Sequence, residues 1–511
     1  MMLNLWTVIA ATITCGLGIY LLYSLRKLKI FKSAGIPHNP PIPFFGNMAP
    51  MVFRRIYLGN MVKNMYDNYS NAKYFGMYDF MKPVIVLRDL ELVKSIGVKN
   101  FESFPNHRTF VKETWDPLFA RNLFSLTGEK WHNVRNLLSP AFTSSKMKTM
   151  YKLISQCAID FTEFLAKDTK NNQVREMKDA FTRYTNDVIA TCAFGIKIDS
   201  MKNPENEFYL MGKEGTDQKK MTPKMFLMRD FPWIVKLFNI RLVHPRIAQF
   251  FTDIIESTIS IRDKEGISRP DMLQLMMENR KNEKSKVELT LEEMTAQAFI
   301  FFFGGFDTTS TNMSFAAHEL AVNPEIQARL QGEIDKVLRN TNGDPSYEAI
   351  NGMEYLDAVL NETLRKYPLI PVLDRVCSKQ FELPPTLPGT KPFIVKPGMI
   401  IWLPAYAIQH DADYFEEPEK FNPDRFLKNG NATFKSATFL SFGIGPRQCI
   451  GNRFAMLETK AMLFHLLARC NLKVCSKTSI PLKLSKTTFG LTSDDGYWLS
   501  LESKNNNYIH N

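Results

Sequence analysis

The segment Thr290–Val322 constrains the fold of this chain more than any other stretch. Its first residue and Glu293 have the spacing of a capping box, and the helical pattern ends where Asn-Pro follows Val322. At about 1.5 Å per residue, such a helix is roughly 45 to 50 Å long, which is enough to cross a whole domain. Three successive phenylalanines, at 301–303, make its middle apolar on every side, so we expect it to be buried.

The length of 511 residues alone suggests about three domains, but no linker divides the chain. We therefore expect one large domain, at 48–503. Aromatic residues make up 12% of the chain, and 39 of them are phenylalanine, which favours a large core and a large apolar pocket. The net charge of +12 is not gathered into tracts, so the sequence indicates no nucleic-acid partner.

The seven cysteines are scattered, odd in number and without Cys-x-x-Cys spacing. This pattern argues against a disulfide framework or a zinc site, and it favours a reducing compartment. Three Asn-x-Ser/Thr sequons begin at Asn312, Asn361 and Asn431. The first two fall in segments expected to be buried helices, so we expect no glycosylation and a cytosolic body.

Residues 3–23 form an uncharged stretch with Trp6 near one end and Tyr20 and Tyr23 near the other. A helix of this length spans a bilayer and places aromatic residues at both interfaces. A cleaved signal peptide is the competing interpretation, but its positive charges would come before the apolar run. Here they follow it, so we predict a transmembrane signal anchor with the rest of the chain on the cytosolic side.

The sequence also predicts the local structure of three further segments. Residues 24–47 are basic and rich in proline, which predicts a stiff connector, and the tail at 504–511 is expected to fray. The segment Met225–Phe238 is more apolar than one core-facing side requires. It is interpreted either as a membrane-dipping lid over a substrate entrance or as a buried helix and turn.

The coarse pattern elsewhere combines strands and helices. Tyr74–Val98 predicts two short strands and then a helix that Gly97 ends. Residues 150–280 are helical in pattern, with polar breaks expected near 170–173 and at 201–220.

The loop Phe442–Gly451 surrounds a single cysteine, Cys449, with the turn-forming residues Gly443, Gly445, Pro446 and Gly451. Glycine tolerates positive φ, so backbone N–H groups can approach a sulfur closely and stabilise a thiolate. A thiolate held in this way is an electron-donating ligand for heme iron, whereas an ordinary buried cysteine is the competing interpretation. A dinucleotide-binding loop would need glycine where Gln448 stands, so that interpretation fails.

The loop fills every fixed position of Phe-x-x-Gly-x-Arg-x-Cys-x-Gly and resembles the heme-binding signature of the cytochrome P-450 monooxygenases. This resemblance implies the cytochrome P-450 fold, mainly α with small β-sheets, behind one N-terminal transmembrane helix. It also implies heme b as the cofactor, with a cysteine thiolate as the axial iron ligand. The cofactor-binding residues implied by the resemblance are Trp131, Arg135, Arg375, Phe442, Arg447, Cys449 and Gly451.

Two of these assignments have plain structural alternatives. Trp131 and Arg135 lie four apart on one face of a helix that Gly128 opens, where a Trp beside an Arg is usually packing. In the family the corresponding helix donates to a heme propionate, and relatives place another propionate ligand near Arg375. An ordinary strand arginine is the alternative for Arg375.

The long helix contains Gly304-Gly305-Phe306-Asp307-Thr308-Thr309. Each glycine in a buried helix costs about 1 kcal/mol relative to alanine, and an unpaired carboxylate costs more, which suggests a function. Glycines leave room for a diatomic ligand, and Thr308 can bond back to the Gly304 carbonyl. The hexapeptide resembles the family's oxygen-activating element, which implies Asp307 and Thr308 as catalytic proton carriers. A local kink with a satisfied polar pair is the competing interpretation.

Glu362 and Arg365 lie three apart on a helix expected at 352–367, where such a pair is usually solvated. Together with Arg425 they resemble the family's Glu-x-x-Arg and Pro-x-Arg-Phe elements. The resemblance implies a buried charge network that braces the cysteine loop. It also implies five substrate-pocket residues, namely Phe301, Phe302, Leu369, Leu373 and Phe489.

The implied activity is insertion of one atom of O2 into lipophilic small molecules, in the drug-metabolising third-family clade that includes insect detoxification enzymes. The sequence has no flavin or nicotinamide fingerprint. Electrons are therefore expected from NADPH-cytochrome P-450 reductase, with cytochrome b5 as a second donor. We expect the docking face to be basic, to lie near Cys449 and to include Lys130 and Lys146. The expected location is the endoplasmic reticulum (microsomal) membrane.

Three rival functions share part of this pattern. A biosynthetic hydroxylase of a steroid, hormone or fatty acid would carry every motif. An oxygen-independent heme-thiolate isomerase or dehydratase would lack the acid and threonine pair, so Asp307 and Thr308 argue against it. A heme sensor or electron carrier would consume neither NADPH nor oxygen.

Overall fold

The computed structural model describes most of the chain, in two compact units. The described residues are 6–12, 14–16, 18, 29–168, 174–269, 271–280, 289–427 and 437–504. The first unit comprises Met1–Arg108, Ile370–Tyr414 and Lys435–Arg447. The second comprises Thr109–Leu369, Phe415–Phe434 and Gln448–Asn511.

A four-stranded mixed sheet organises the first unit. Strands Tyr74–Asp79 and Lys82–Leu87 form the hairpin predicted from sequence, because the continuous run of β-favouring residues from Val84 to Leu87 is buried in the core. Lys82–Leu87 pairs in parallel with Ile400–Leu403, which pairs antiparallel with Leu373–Val376. A second, two-stranded sheet pairs Phe381–Leu383 with Phe393–Val395. The α-helices described in this unit are Ile30–Ser33, Ala49–Val52, Leu58–Asn68, Leu90–Lys94 and Ala405–Gln409.

The helix after the hairpin does not end at Gly97, so that expectation is wrong. Helix Leu90–Lys94 starts at the N-cap Asp89 and runs into a π-helical turn, Ser95–Lys99. A Cβ atom on Gly97 would lie 2.7 Å from Ile444 Cγ2. Gly97 therefore serves close packing against the glycine-rich loop rather than helix termination.

The second unit is packed around the long helix, which spans Leu291–Val322. The predicted capping box is confirmed, since Thr290 Oγ1 accepts from Glu293 N at 3.2 Å and Glu293 Oε2 accepts from Thr290 N at 3.0 Å. Residues 309–321 are buried throughout. The middle departs from the expectation of complete burial, because Gly304 is exposed and residues 301 and 303 are only half-buried.

Helices of the second unit surround the long helix. Met177–Ile189, Pro245–Glu265, Glu354–Lys366 and Asn452–Arg469 all pack directly against it. The remaining α-helices described in this unit are Pro117–Ala120, Gly128–Leu138, Ser144–Asp168, Glu207–Gly215, Gln218–Asp230, Pro232–Phe238, Met272–Arg280, Pro324–Asn340 and Tyr347–Asn351. A three-stranded antiparallel sheet places Trp498–Ser503 between Val174–Glu176 and Cys470–Lys473.

The polar break expected at 201–220 is wrong over part of its length. It contains helix Glu207–Gly215, which Asn206 caps by accepting from Tyr209 N at 3.2 Å. Five of its nine residues are buried, namely Phe208, Tyr209, Met211, Gly212 and Gly215. Two of these five are glycines, which have low helix propensity and no side chain to contribute to an apolar period.

Several expectations concern residues that the structure does not describe or describes only in part. Of the predicted anchor at 3–23, residues 6–12, 14–16 and 18 are described, and they are helical and exposed. Within the described ranges, no helix has both the length and the apolar character needed to cross a membrane. Residues 24–28, Asn431, the break at 170–173 and the tail after 504 lie outside the described residues.

The apolar segment Met225–Phe238 is not a buried helix and turn, so that interpretation is wrong. It covers the end of helix Gln218–Asp230 and the helix Pro232–Phe238. Trp233, Leu237 and Phe238 are 65%, 69% and 69% exposed. We call Phe231–Phe238 the apolar ridge.

Candidate functional site

The glycine-rich loop adopts the backbone that its sequence requires. Gly443 and Gly445 have φ values of 82° and 71°, in the left-handed region that glycine tolerates. A Cβ atom on Gly445 would lie 1.9 Å from the carbonyl oxygen of Gly97. No other residue fits at this position, because the backbone of the π-helical turn lies directly against it.

Two buried arginines lie beside the loop in the first unit. Arg447 donates from Nε to Pro105 O at 2.8 Å and from Nη2 to Asn106 Oδ1 at 3.3 Å. Arg375, on strand Leu373–Val376, donates from Nη2 to Ile444 O at 3.0 Å and from Nη1 to its neighbour's carbonyl at 2.7 Å. Phe442, at the start of the loop, is half-buried.

Arg375 is held without a hydrogen-bonded carboxylate among the described residues. Its Nε has no hydrogen-bond partner there, although the residue is fully buried. Burial lowers the pKa of Arg375, and the nearby Asp374 raises it. The carboxylate of Asp374 is itself engaged by His107 Nδ1 and by the backbone N–H of Arg108. A buried guanidinium with carbonyl partners suits an anionic group.

Cys449 lies in the second unit, three residues before helix Asn452–Arg469. Cys449 is exposed to solvent, but many protein atoms lie near its sulfur and partly desolvate it. Burial raises the pKa of the Cys449 thiol, while a hydrogen bond from the Gly451 N–H and the charge of Arg135 lower it. The N-H donor and the cation are the two features that favour a thiolate here.

Trp131 and Arg135 lie on helix Gly128–Leu138, as predicted. Trp131 is buried and Arg135 is half-buried. No hydrogen bond or ion pair from the described residues reaches the Arg135 guanidinium. Burial lowers the pKa of Arg135, and the nearby Cys449 sulfur raises it. This helix therefore brings an arginine with no carboxylate partner near the cysteine.

The two glycines of the long helix have different surroundings. A Cβ atom on Gly305 would lie 2.8 Å from Ile189 Cδ1, so this glycine permits close helix packing. A Cβ atom on Gly304 would meet no described atom within 4 Å. Thr308 Oγ1 donates to the Gly304 carbonyl, as expected from sequence. The open side of the helix is thus at Gly304 and Thr308.

Asp307 is engaged by two side chains that the sequence did not indicate. Lys178 Nζ lies 2.8 Å from Asp307 Oδ1 and also donates to the carbonyl oxygen of Asp307 at 2.7 Å. Ser310 Oγ and Thr311 Oγ1 complete the shell of Lys178, at 2.7 and 2.6 Å. Gln218 Nε2 donates to Asp307 Oδ2 at 2.5 Å. The only feature of the sequence that pointed to these contacts was the position of Lys178, next to the buried face of helix Met177–Ile189.

Replacing Lys178 with methionine is expected to lower turnover by at least about tenfold, because proton delivery near Asp307 loses its counter-charge. The solvent deuterium isotope effect on kcat and the fraction of NADPH lost to peroxide should both rise. Lys213→Met is the matched control, since Lys213 is ion-paired with Asp179 and, among the described residues, makes no hydrogen bond or ion pair with the long helix. Equal isotope effects in the two variants would contradict a role for Lys178 in proton delivery.

Glu362, Arg365 and Arg425 form a charge network within the second unit. Arg365 Nε and Nη2 lie 2.8 and 2.9 Å from the two carboxylate oxygens of Glu362, and both residues are fully buried. Arg425 Nε donates to Glu362 Oε1 at 3.2 Å. The backbone N–H of Asn422 also donates to that oxygen, at 2.9 Å. The network ties helix Glu354–Lys366 to the turn Pro423–Phe426.

The proposed pocket residues fall into different environments. Phe302 is fully buried, with its ring stacked on Phe306 at 4.8 Å and packed against Gly212. Phe301 is half-buried beside Phe142. Phe303, which sequence reasoning did not assign, is half-buried with its ring against Phe119.

The remaining pocket residues lie on two loops and a strand. In the second unit, Leu491 N donates to Leu369 O at 2.9 Å, which holds the segment of Phe489 beside Leu369. Both are half-buried. Leu373, also half-buried, begins a strand of the first unit.

Comparison with known proteins gives a consistent result over nearly the whole chain. The family model for cytochrome P450 matches residues 37–499. Cytochrome P450 9e2 of Blattella germanica is 44% identical over 505 residues, covering 93% of this chain and 94% of that protein. Probable cytochrome P450 9f2 of Drosophila melanogaster is 38% identical over 493 residues, covering 93% of this chain and 95% of that protein. Cytochrome P450 6j1 of Blattella germanica is 36% identical over 502 residues and covers 98% of both. The chain therefore belongs to the cytochrome P450 family, whose members are monooxygenases that carry heme with a cysteine thiolate as the axial ligand.

Proposed function

We propose that this chain is a microsomal monooxygenase that oxidises lipophilic xenobiotics, with Cys449 as its heme ligand. The observation that carries the proposal is the open side of the long helix. Gly304 faces open space there and Thr308 bonds back to its carbonyl. An oxygenase needs both features, because O2 requires room and a hydroxyl that can hand on a proton.

The residues present in the second unit fit a heme. The exposed thiol of Cys449 receives the Gly451 N–H, and Arg135 has no carboxylate partner among the described residues. We assign Cys449 as the residue whose sulfur binds the heme iron. Trp131 and Arg135 would bind one heme propionate, and Gly451 would let the backbone lie close to the heme. Bound heme supplies the redox chemistry that activates O2, and the protein supplies the ligand, the orientation and the proton path.

Two arginines of the first unit have separate proposed roles. Arg375 is assigned to a propionate, because its buried guanidinium has carbonyl partners and a buried Nε without a hydrogen bond among the described residues. Arg447 is assigned two roles. It would bind a heme propionate, and it fixes the conformation of the loop by donating hydrogen bonds to Pro105 and Asn106. Phe442 is assigned to the apolar side of the cofactor.

Proton transfer is assigned to Asp307 and Thr308. Lys178 and Gln218 hold the Asp307 carboxylate in place, and Thr308 presents its hydroxyl beside Gly304. In the proposed sequence, Asp307 takes up a proton from solvent and passes it to the Thr308 oxygen as Thr308 releases its own hydroxyl proton beside Gly304. Lys178 is a positioning residue, because it acts through Asp307.

Replacing Gly304 with alanine is expected to separate stability from turnover. The new methyl group meets no described atom, so the helix should gain about 1 kcal/mol of stability. The same methyl group occupies the space assigned to O2, so the rate of NADPH-dependent oxygenation should fall. Gly305→Ala is the matched comparison, since its methyl group must displace the end of the Ile189 side chain and should therefore raise the thermal midpoint less than Gly304→Ala does. Unchanged turnover in Gly304→Ala would contradict the oxygen assignment.

The partners and location follow from the family and from exposed charge. Lys130 and Lys146 are both exposed in the second unit, as a basic docking face requires. We assign this face to NADPH-cytochrome P-450 reductase and to cytochrome b5. The exposed apolar ridge favours the interpretation of a membrane-dipping lid, and we assign the protein to the endoplasmic reticulum membrane.

The proposal is tested by oxygen and NADPH consumption of the purified holoenzyme with the reductase, over a chemically diverse panel of lipophilic compounds. Hydroxylated products from several unrelated classes are expected. Turnover restricted to one steroid, hormone or fatty acid would instead identify a biosynthetic hydroxylase. Heme binding without oxygen consumption would identify a sensor or electron carrier.

A further inference from the structure

A surface cavity of about 570 Å³ lies beside the apolar ridge in the second unit. One wall comes from the segment that contains Lys112 and Trp115. The other comes from the ridge helix and the turn after it, through Trp233, Lys236 and Asn239. Two tryptophans and two lysines therefore face the same space, outside the site described above.

The cavity is positively charged. No ion pair from the described residues reaches Lys112 or Lys236, and Lys112 Nζ lies 5.0 Å from the centre of the Trp115 ring. The neighbouring carboxylates are already engaged. Glu113 pairs with Arg121 at 2.7 Å, and Asp116 accepts from the backbone N–H groups of Phe119 and Val243.

The surroundings of the cavity combine apolar and basic surface. Trp233, Leu237 and Phe238 project from the ridge. The stretch 218–246, which contains the ridge, has one acidic residue, Asp230. Its basic residues are Lys219, Lys220, Lys224, Arg229, Lys236, Arg241 and Arg246. A helix with apolar side chains on one side and basic residues around it is typical of a segment that lies in the membrane interface.

We propose that this cavity binds the headgroup of an anionic glycerophospholipid while the ridge lies among the acyl chains. This inference rests on the membrane location proposed above. Lysine ammonium groups suit a phosphate as point charges, and the Asn239 amide supplies a further hydrogen-bond donor. The positive charge of the cavity favours an anionic ligand. The exposed apolar side chains of the ridge beside the cavity favour a ligand that carries acyl chains over free phosphate. An acidic protein segment bound in the cavity would satisfy the lysines but would leave the apolar side chains of the ridge exposed to water.

The test uses the full-length holoenzyme in phosphatidylcholine nanodiscs that contain a minor share of phosphatidylserine. Brominated acyl chains, which quench tryptophan fluorescence on contact, are carried either by the phosphatidylserine or by the same amount of phosphatidylcholine. The signal of Trp233 is isolated by difference from Trp233→Phe. Because each lysine near an anionic surface contributes roughly a fivefold preference, brominated phosphatidylserine should quench Trp233 at least about twofold more than brominated phosphatidylcholine.

In the double variant Lys112→Gln/Lys236→Gln, we expect brominated phosphatidylserine and brominated phosphatidylcholine to quench the Trp233 fluorescence equally. The matched control is Lys264→Gln/Lys336→Gln, which removes two exposed lysines outside the cavity and should keep the preference. An unchanged carbon monoxide difference spectrum in both variants shows that they are folded. A wild-type protein that shows the lipid preference but consumes no oxygen would refute the proposed function and leave this inference intact.

Three results would overturn the inference. Equal quenching by the two lipids in wild type would mean that the ridge meets the membrane without selecting a headgroup. Absence of quenching by either lipid would mean that the ridge does not enter the bilayer. Loss of the preference in excess inorganic phosphate would identify a site for the free anion, because a lipid held also by its acyl chains resists such competition.

Discussion

Cys449→Ala is expected to lose the thiolate-type band of the carbon monoxide difference spectrum and all NADPH-dependent turnover. Among the described cysteines, Cys449 combines an exposed side chain with a backbone N–H donor and a nearby arginine. A thiolate at this position donates electron density that oxygen cleavage requires, and alanine supplies no ligand. The measurement is the difference spectrum of the reduced protein, together with oxygen consumption.

The matched control for this variant is Cys475→Ala. Cys475 is half-buried, and its thiol contacts the carbonyl oxygen of Trp498 in the second unit. Its removal should leave the spectrum unchanged. If Cys449→Ala kept a thiolate-type band, another cysteine would be the iron ligand and the assignment of the glycine-rich loop would be wrong.

Glu362→Gln is expected to destabilise the protein by about 3 to 5 kcal/mol, because removing one member of a buried ionic network leaves the other charges uncompensated. Arg365 is fully buried, and its Nε and Nη2 both donate to this carboxylate. Glutamine retains the shape but not the negative charge. The midpoint of thermal or denaturant-induced loss of the heme spectrum measures the effect, and the holoenzyme should accumulate poorly.

Glu348→Gln provides the comparison for a pair of the same chemistry at the surface. Glu348 binds Lys148 at 2.5 Å, but both side chains are more than half exposed. Water and salt replace such an interaction, so the midpoint should not move. Equal stability of Glu362→Gln and Glu348→Gln would show that the buried network does not brace the fold.

Features that depend only on neighbours in the chain could be predicted from the sequence. The capping box at Thr290, the helix of Trp131 and Arg135, and the positive φ of Gly443 and Gly445 follow from local spacing and residue type. The hydrogen bond from Thr308 to Gly304 belongs to the same class, because it joins residues four apart on one helix.

Other features were misjudged because residue type alone does not say which side of a helix faces the core. Phe302 is fully buried while Phe303 beside it is half-buried, a difference that a run of three phenylalanines does not reveal. Gly97 was expected to end a helix, but it makes room for Ile444. In each case the deciding contact comes from a distant segment.

The sequence by itself determined the family, the heme-thiolate chemistry and the long helix, since motifs of contiguous residues specify them. Only the tertiary structure showed that Asp307 is held by Lys178 and Gln218, which lie 129 and 89 residues away in the chain. It alone also showed that the apolar ridge is exposed beside two lysines. The physical reason is that charge pairing and burial depend on which surfaces meet, and packing decides that between segments with no common pattern.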